Sequence, residues 1–247
     1  MGNVRFDWRG NTTPFVDCGG GPPAHFILEQ TDDDEFEVQG SFCYEQSDGT
    51  RLEVSKATLP DTDFASIPFF LSWLVSRHGR HTPAVLLHDM LITSTTPPDE
   101  RVKADLLLRD ALDQCHVPPV RSRLMWAGVA LGTRCTMGLL GIAGIIGWGL
   151  MVLAGTVLLA VGIASANALA IIIALVGPFV GALLWGRQYW AGLIAGYAIW
   201  LVVAPAMATL IGYGAYWLVE QAVRLIRKLL PRNRGKPLPG PPTYKAS

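Results

Sequence analysis

The segment from Cys135 to Val219 constrains the fold of this chain more than any other feature of the sequence. Arg187 is the single Asp, Glu, Lys or Arg residue within it. So long an apolar segment cannot be buried in one soluble core, and a helix that crosses a bilayer needs about 20 apolar residues. The sequence therefore predicts a membrane region, and a soluble domain is expected only before it.

Polar interruptions divide the apolar segment into spans near residues 138–163, 168–186 and 190–219. The third span is longer than one crossing of about 20 residues requires, and Pro205 lies in its middle. It is therefore interpreted as a kinked helix or as a tight helical hairpin. We assign residues 135–223 to transmembrane helices with three, possibly four, crossings.

The C-terminal residues 224–247 predict the orientation of the membrane region. They are rich in proline and basic residues, which is typical of a disordered tail on the cytoplasmic side. The first 24 residues form an irregular arm without a secretory signal peptide, so the soluble domain is expected in the cytoplasm too. If both ends of the chain lie in the cytoplasm, the number of membrane crossings must be even, which favours a fold-back at Pro205.

The composition also bounds the partners of the protein. Twenty basic and 20 acidic residues give a formal net charge of zero, so the composition gives no case for nucleic acid as a partner. The lipid bilayer is the expected partner of the apolar segment. Small-residue faces in the spans predict close helix contacts, within a bundle or in a homo-oligomer. These faces are formed by Gly138, Gly141 and Gly144, by Gly177 and Gly181, and by Gly192 and Gly196.

Residues 25–134 are predicted to form the soluble α+β domain. Apolar and polar residues alternate over 36–44, a turn signal follows at Ser47-Asp48-Gly49, and 50–56 returns as a partner strand. Helical patterns follow near 69–75, 82–92, 100–115 and 120–134. The predicted fold is a small β-hairpin or sheet plus helices, fused to an α-helical transmembrane bundle.

The segment Thr82–Ile92 carries the most informative polar pair of the domain. It is predicted as a short helix that Thr82 caps, and it is apolar on every side except at His88 and Asp89. Burying an unpaired ionisable group costs several kcal/mol, so these two side chains need partners. On the next helix, Arg101 and Asp105 lie on or beside the apolar stripe and are predicted to face the same core. The cluster is either a buried ion-pair network that fixes helix packing or a functional site.

The four cysteines do not suggest a covalent framework. Cys18, Cys43, Cys115 and Cys135 are scattered, without the short spacing of zinc ligands. Few cysteines in a long chain also speak against a disulfide framework. They are therefore expected to be buried or unpaired thiols.

Three motifs in order resemble an uncharacterised domain family of phages and bacteria (domain of unknown function 1353). They are Thr62–Pro68, Leu87–Ile92 and Ala104-Asp105, which are similar to the family's TDFASVP-like loop, LHDYLY-like helix and following AD-containing helix. The resemblance covers about residues 36–134 and leaves the apolar half outside. It brings no established activity, but it implies a phage or prophage origin and therefore the inner membrane of a bacterial host.

A second resemblance is mechanistic. Phospholipases A2 carry a His-Asp-x-x-Tyr helix with a further Asp on the next helix. The resemblance assigns His88 as general base, Asp89 as calcium ligand and Asp105 as the group that orients His88. Asp63 is a further candidate metal ligand. The tyrosine position is Ile92, and the half-cystine framework of the secreted enzymes is absent.

Other chemistries fit the pattern less well. His78 and His81 supply the ligand types of an HD-type phosphohydrolase, but both are expected in an exposed loop. Ser66 lacks the strand–turn–helix elbow of a serine nucleophile and is interpreted as a helix cap. With Arg101, Ser66 is therefore a supporting residue.

Two classes of function remain. The first is a membrane-anchored phage or prophage protein with a structural or interaction role. The alternative is a phospholipase A2-like lipid or ester hydrolase that depends on a metal, possibly calcium, with His88 as its base. An open pocket with room for a water at His88 would favour the enzyme, whereas a sealed, hydrogen-bonded ring would favour the structural protein.

Overall fold

The computed structural model of the 247-residue chain describes residues 3–5, 14–19, 27–31, 35–46, 48–62, 74–75, 79–92 and 96–229. Most of the Thr62–Pro68 motif, including Asp63 and Ser66, lies outside these residues. So do His78, the acidic run 32–34 and the tail from residue 230 onward.

Within the described ranges, six short strands precede the helices. They are β1 (Asn3–Arg5), β2 (Phe15–Val16), β3 (Ile27–Gln30), β4 (Phe36–Gln39), β5 (Ser41–Glu45) and β6 (Arg51–Ser55). They form two antiparallel three-stranded sheets with the orders β1-β3-β4 and β2-β5-β6. The predicted α+β class is thereby confirmed.

The predicted hairpin corresponds to β5 and β6, which pair from Ser41 with Ser55 to Glu45 with Arg51. Gly49 lies in the connecting turn at φ 84°, a conformation that glycine adopts without a steric penalty. The predicted single strand 36–44 is divided at Gly40, where φ is 89°. This break ends β4 and lets the chain begin β5 in the other sheet.

Six helices follow. They are α1 (Thr82–Leu91), α2 (Pro98–Gln114), α3 (Pro119–Cys135), α4 (Gly138–Ala164), α5 (Ala168–Ala182) and α6 (Tyr189–Leu229), with a 3₁₀ helix, Leu183–Gln188, between α5 and α6. We call that 3₁₀ helix the connecting turn. The prolines at the starts of α2 and α3 need no backbone donor there.

The core of the α+β domain lies between the strands, α1 and α2. Large buried side chains include Phe15, Leu28, Phe42, Leu86 and Leu108. Every residue from Thr82 to His88 is buried, as the all-round apolar pattern predicts. Two local expectations are wrong. His81 is only 3% exposed, and it occupies the N-cap without a side-chain capping bond. The Thr82 hydroxyl instead accepts a bond from the Gly79 N–H at 3.0 Å.

The apolar half forms helices with apolar side chains on their outer surface. By length and composition, α4 and the helical run from Ala168 to Lys228 qualify as membrane-crossing. Many large apolar residues on them are exposed, among them Leu139, Leu150, Ile172 and Leu201. The predicted break between the first two spans is also present, and Asn167 there caps α5 by accepting from the Ala170 N–H at 3.1 Å.

Glycines bring the apolar helices together within one chain. A Cβ on Gly155 would lie 3.2 Å from the Ala174 carbonyl of α5, and one on Gly181 would lie 3.2 Å from Trp148 of α4. Gly196 of α6 faces Pro178 at 3.1 Å. These contacts confirm that the small-residue faces serve close helix packing.

The chain divides into two compact units, Met1–Ala204 and Pro205–Ser247. The dividing residue, Pro205, lies inside α6, which continues from Tyr189 to Leu229 as one helix. The expected fold-back at Pro205 is therefore wrong. Proline removes one backbone hydrogen bond, but a helix can continue past it when neighbouring groups compensate. The Thr209 hydroxyl donates to the Pro205 carbonyl at 2.9 Å.

The cysteine expectation also needs correction. Cys18 and Cys43 form a disulfide across a sequence separation of 25 residues. Val16 of β2 pairs with Cys43 of β5, and this register brings the residue just beyond β2 close to Cys43. Cys115 and Cys135 are free thiols. Spacing along the sequence could not reveal the pair, because strand pairing and not sequence distance creates the contact.

Candidate functional site

The buried His88 of α1 lies against Asp105 of α2. The Nε2 atom of His88 is 2.9 Å from Oδ1 of Asp105. His88 is 5% exposed and Asp105 is fully buried. Because an ionised carboxylate can only accept, the proton lies on Nε2 of His88 in this bond. This pairing was predicted from the helical pattern, and the geometry confirms that the two side chains meet.

Asp105 has a second partner that comes from the apolar half of the chain. The side-chain amide of Gln188 donates from Nε2 to Oδ2 of Asp105 at 3.1 Å. Gln188 ends the connecting turn and is 3% exposed. One buried carboxylate therefore joins α1, α2 and the turn between two apolar helices.

The other ring nitrogen of His88 faces the carboxylate of its neighbour. Nδ1 of His88 lies 4.0 Å from Oδ1 of Asp89. The second oxygen of Asp89 accepts a hydrogen bond from the Thr62 hydroxyl at 2.7 Å. Thr62 is also bridged to β4 through Phe36. We call Thr62, His88, Asp89, Asp105 and Gln188 the polar cluster.

Two opposing effects set the pKa of His88. Burial lowers the pKa because it penalises the charged ring, whereas the hydrogen bonds and negative charges of Asp105 and Asp89 raise it. The carboxylates prevail, so the pKa of His88 lies above its ordinary value of 6.5. The protonated ring donates from both nitrogens, which suits a position between two carboxylates.

The remaining predicted site residues are placed as follows. Arg101 is partly buried, and its Nε donates to the Thr96 carbonyl at 3.1 Å. Asp63 and Ser66 lie outside the described residues, so the structure gives no position for the predicted calcium pair of Asp63 and Asp89. Of the residues predicted to form the cluster, His88, Asp89 and Asp105 lie together in the described part of the chain.

Sequence reasoning missed Gln188 and Thr62 as members of the cluster. Gln188 adjoins Arg187 at a polar interruption of an apolar segment, and a buried polar group at such a point needs a partner. That signal could have identified Gln188 as a contact residue, although not Asp105 as its acceptor. Thr62 opens the first family-like motif but carries no charge, so its bond to Asp89 had no separate signal.

Two hollows in the described part of the chain lie away from His88. A groove of about 480 Å³ lies between α3 and α6, and a cavity of about 330 Å³ lies beside the connecting turn. Neither is lined by His88, Asp89 or Asp105. Within the described ranges, no group of three or more His, Cys, Asp or Glu side chains is placed to bind a metal ion.

Fold and site together define an α+β domain with a buried polar cluster, joined to apolar helices that can cross a membrane. Residues 36–129 match the family model described as "Protein of unknown function (DUF1353)", so this part of the chain is similar to that uncharacterised domain family. The match includes His88, Asp89 and Asp105 but ends before Gln188. Neither a curated protein nor a solved structure matches the chain.

Proposed function

We propose that the chain is a membrane-anchored phage or prophage protein whose α+β domain has a structural or interaction role. In this proposal the polar cluster fixes the domain onto its membrane helices. The observation that carries it is the shared Asp105 carboxylate, which accepts from His88 of the domain and from Gln188 of the connecting turn.

Physical chemistry supports a fixing role for this contact. A buried charge pair adds little net stability over an apolar pair, but removal of one partner costs about 3–5 kcal/mol. Displacement of the connecting turn would remove Gln188 from a carboxylate that has no exposed surface. The domain is therefore held in one orientation on the turn, as an interaction module presented at a membrane requires.

The exposed apolar helices support residence in a membrane, and a phage or prophage origin makes this the inner membrane of a bacterial host. Many large apolar side chains of α4, α5 and α6 are exposed. Gly155, Gly181 and Gly196 pack helices within one chain, and a homo-oligomer would use surfaces that these contacts leave open.

The disulfide argues for the side of the membrane on which the domain lies. Bacterial cytoplasm keeps most thiols reduced, whereas the periplasm allows bonds such as that between Cys18 and Cys43. We therefore place the domain on the periplasmic side, in place of the cytoplasmic side expected from the first residues. Three crossings, through α4, α5 and α6, then bring the basic tail to the cytoplasm, in accord with the positive-inside rule.

Substitution of Gln188 by alanine tests the fixing role in the full chain. Gln114→Ala is the control, because Gln114 is a more exposed glutamine whose amide donates to the Tyr44 hydroxyl at 3.2 Å inside the domain. In detergent, Gln188→Ala should accelerate amide hydrogen exchange in the connecting turn and at the Asp105 face of α2. Gln114→Ala should leave both segments at the wild-type rate. Equal exchange in the two variants would remove the support for a fixing role.

The hydrolase alternative requires a water at one nitrogen of His88. Its favourable observation is the His88–Asp105 distance of 2.9 Å, which is that of a base and the group orienting it. Against it, the two ring nitrogens face Asp105 and Asp89 in a closed environment. Purified full-length protein on phospholipid vesicles with calcium should release no fatty acid above background. Calcium-dependent release that His88→Ala abolishes would establish the hydrolase instead.

A further inference from the structure

The described part of the second compact unit is the C-terminal part of α6, residues 205–229, which we call the distal helix. Its large apolar residues are open to the surroundings. Ile211, Leu218 and Leu225 are 67%, 63% and 58% exposed, respectively. Exposed apolar surfaces that are contiguous mark contacts with lipid or with another protein. The pattern of residues along the distal helix distinguishes between these two partners.

Six residues of the distal helix follow the spacing of a coiled coil. Successive members are alternately three and four residues apart, with an alanine at every seventh position and Ile or Leu between the alanines. We call these exposed residues the seam: Ala208, Ile211, Ala215, Leu218, Ala222 and Leu225. The same spacing continues in the sequence back to Leu201 and Ala204 and on to Leu229. It therefore spans about four heptads, a length that indicates pairing with another helix.

The charged residues of the distal helix lie away from the seam. At about 100° per residue, Glu220, Arg224 and Arg227 lie on the opposite face of the helix, and Lys228 lies to one side. Arg224 and Glu220 form an ion pair with each other on that opposite face. Burial of the seam against a second helix would therefore leave these charged groups in contact with water.

The seam continues beyond the part of the helix that lipid chains can cover. Charged residues recur from Glu220 to Lys228, and such residues are strongly disfavoured in hydrocarbon. This part of the helix therefore belongs at or beyond the membrane surface. Ala222 and Leu225 continue the seam through it. Because apolar surface is unfavourable in water, the exposed end of the seam favours a protein partner over lipid.

We propose that the seam joins two copies of this chain through a parallel pair of distal helices. The parallel orientation rests on the proposed membrane role, because copies inserted into one membrane under the positive-inside rule share one direction. In a parallel pair, each seam residue meets its own counterpart, so a charge on the seam would face an equal charge. The seam contains no charged residue. Its alanines let the two backbones approach closely, as small residues do between membrane helices.

Disulfide cross-linking of the full chain in bacterial membranes tests the pairing. All variants carry Cys135→Ser, because Cys135 is an exposed free thiol that would also react. Leu218→Cys and Leu225→Cys place a reporter thiol on the seam, and Val223→Cys and Arg227→Cys are the controls on other faces of the same helix. A disulfide requires Cβ atoms within about 4.5 Å of each other. A mild oxidant should therefore convert the seam variants into linked dimers several times faster than the controls.

A charge placed on the seam should separate the two helices. Ala222→Glu brings two carboxylates together in the parallel pair, and like charges in an interface strongly oppose association. It should lower the cross-linking of Leu218→Cys about tenfold or more. Val223→Glu is the matched control, because it adds the same charge to the adjacent residue, which lies outside the seam. The cross-linking of Leu218→Cys should be unchanged by Val223→Glu.

Cross-linking that is specific to the seam and sensitive to Ala222→Glu supports the inference. Equal cross-linking at seam and control positions reports random collisions in lipid and overturns it, as does a seam thiol that links to a different protein or to none. Alkaline carbonate extraction of the same membranes tests the proposed membrane role separately. A chain that resists extraction but lacks specific cross-linking refutes the pairing alone. A chain that carbonate releases refutes the membrane anchor, and the seam cross-links then decide the pairing by themselves.

Discussion

Removal of the Asp105 carboxylate should destabilise the protein more than any other single change within the polar cluster. Asp105 has no exposed surface and accepts bonds from both His88 and Gln188. Asp105→Ala leaves the His88 ring and the Gln188 amide buried without their shared acceptor, which costs about 3–5 kcal/mol. Asp105→Asn keeps the shape and one acceptor oxygen, and it should cost about 1–3 kcal/mol.

Thermal unfolding of the purified full chain measures this difference. For a chain of this size, about 1 kcal/mol lowers the midpoint by about 2–4 °C, so Asp105→Ala should lower it by about 6–20 °C. The matched control is Asp110→Ala on the same helix. Asp110 is exposed and its side chain bonds the adjacent Arg109, so its loss should cost about 1 kcal/mol or less. Similar midpoints for the two alanine variants would refute the claim that Asp105 is the shared anchor of the cluster.

Three further changes probe separate parts of the structure. Because the pKa of His88 is raised above 6.5, its stabilisation is complete below about pH 6.5 and is lost as the pH rises through the folded-state pKa. A series of thermal melts should show this loss, and His88→Gln should remove it; the opposite slope would contradict the sign. Gly141→Ala should destabilise by about 1–3 kcal/mol, because its Cβ would collide with the Arg134 carbonyl, whereas Gly149→Ala, with nothing within 4 Å, should not destabilise. In native protein without reductant, maleimide should label the exposed Cys135 but not Cys115, whose pKa burial raises to about 12. Labelling of four thiols after denaturation without reductant would contradict the disulfide.

Local patterns predicted α2 and α3 well because both helices satisfy short-range rules. The apolar periodicity and flanking prolines of α2 and α3 place their boundaries within two residues of the observed helices. The division at Asn167 was equally local, since a capping side chain marks it. Gly40 was less accessible, because an isolated glycine in an alternating segment does not reveal whether the strand bends or changes sheet.

From the sequence, only the part of the polar cluster that joins α1 to α2 was predictable. Helical geometry placed His88 and Asp105 on facing surfaces, and burial required them to find partners. The contribution of Gln188 depends on how a turn more than 80 residues further along the chain folds back, for which the periodicity of α2 carries no information. The sequence did not predict the Cys18–Cys43 disulfide for the same reason, because the register between β2 and β5 brings the two cysteines together.

The two oxygens of Asp105 accept from two different parts of the chain. The bond from His88 to Oδ1 lies inside the residues that match the uncharacterised family, so the domain can form it without the helices. Oδ2 is the remaining acceptor, and a buried carboxylate oxygen needs a donor from water or protein. Gln188 supplies that donor from outside the matched residues. Gln188 thus bonds the Asp105 oxygen that the bond from His88 does not use, so the two contacts do not compete for one acceptor.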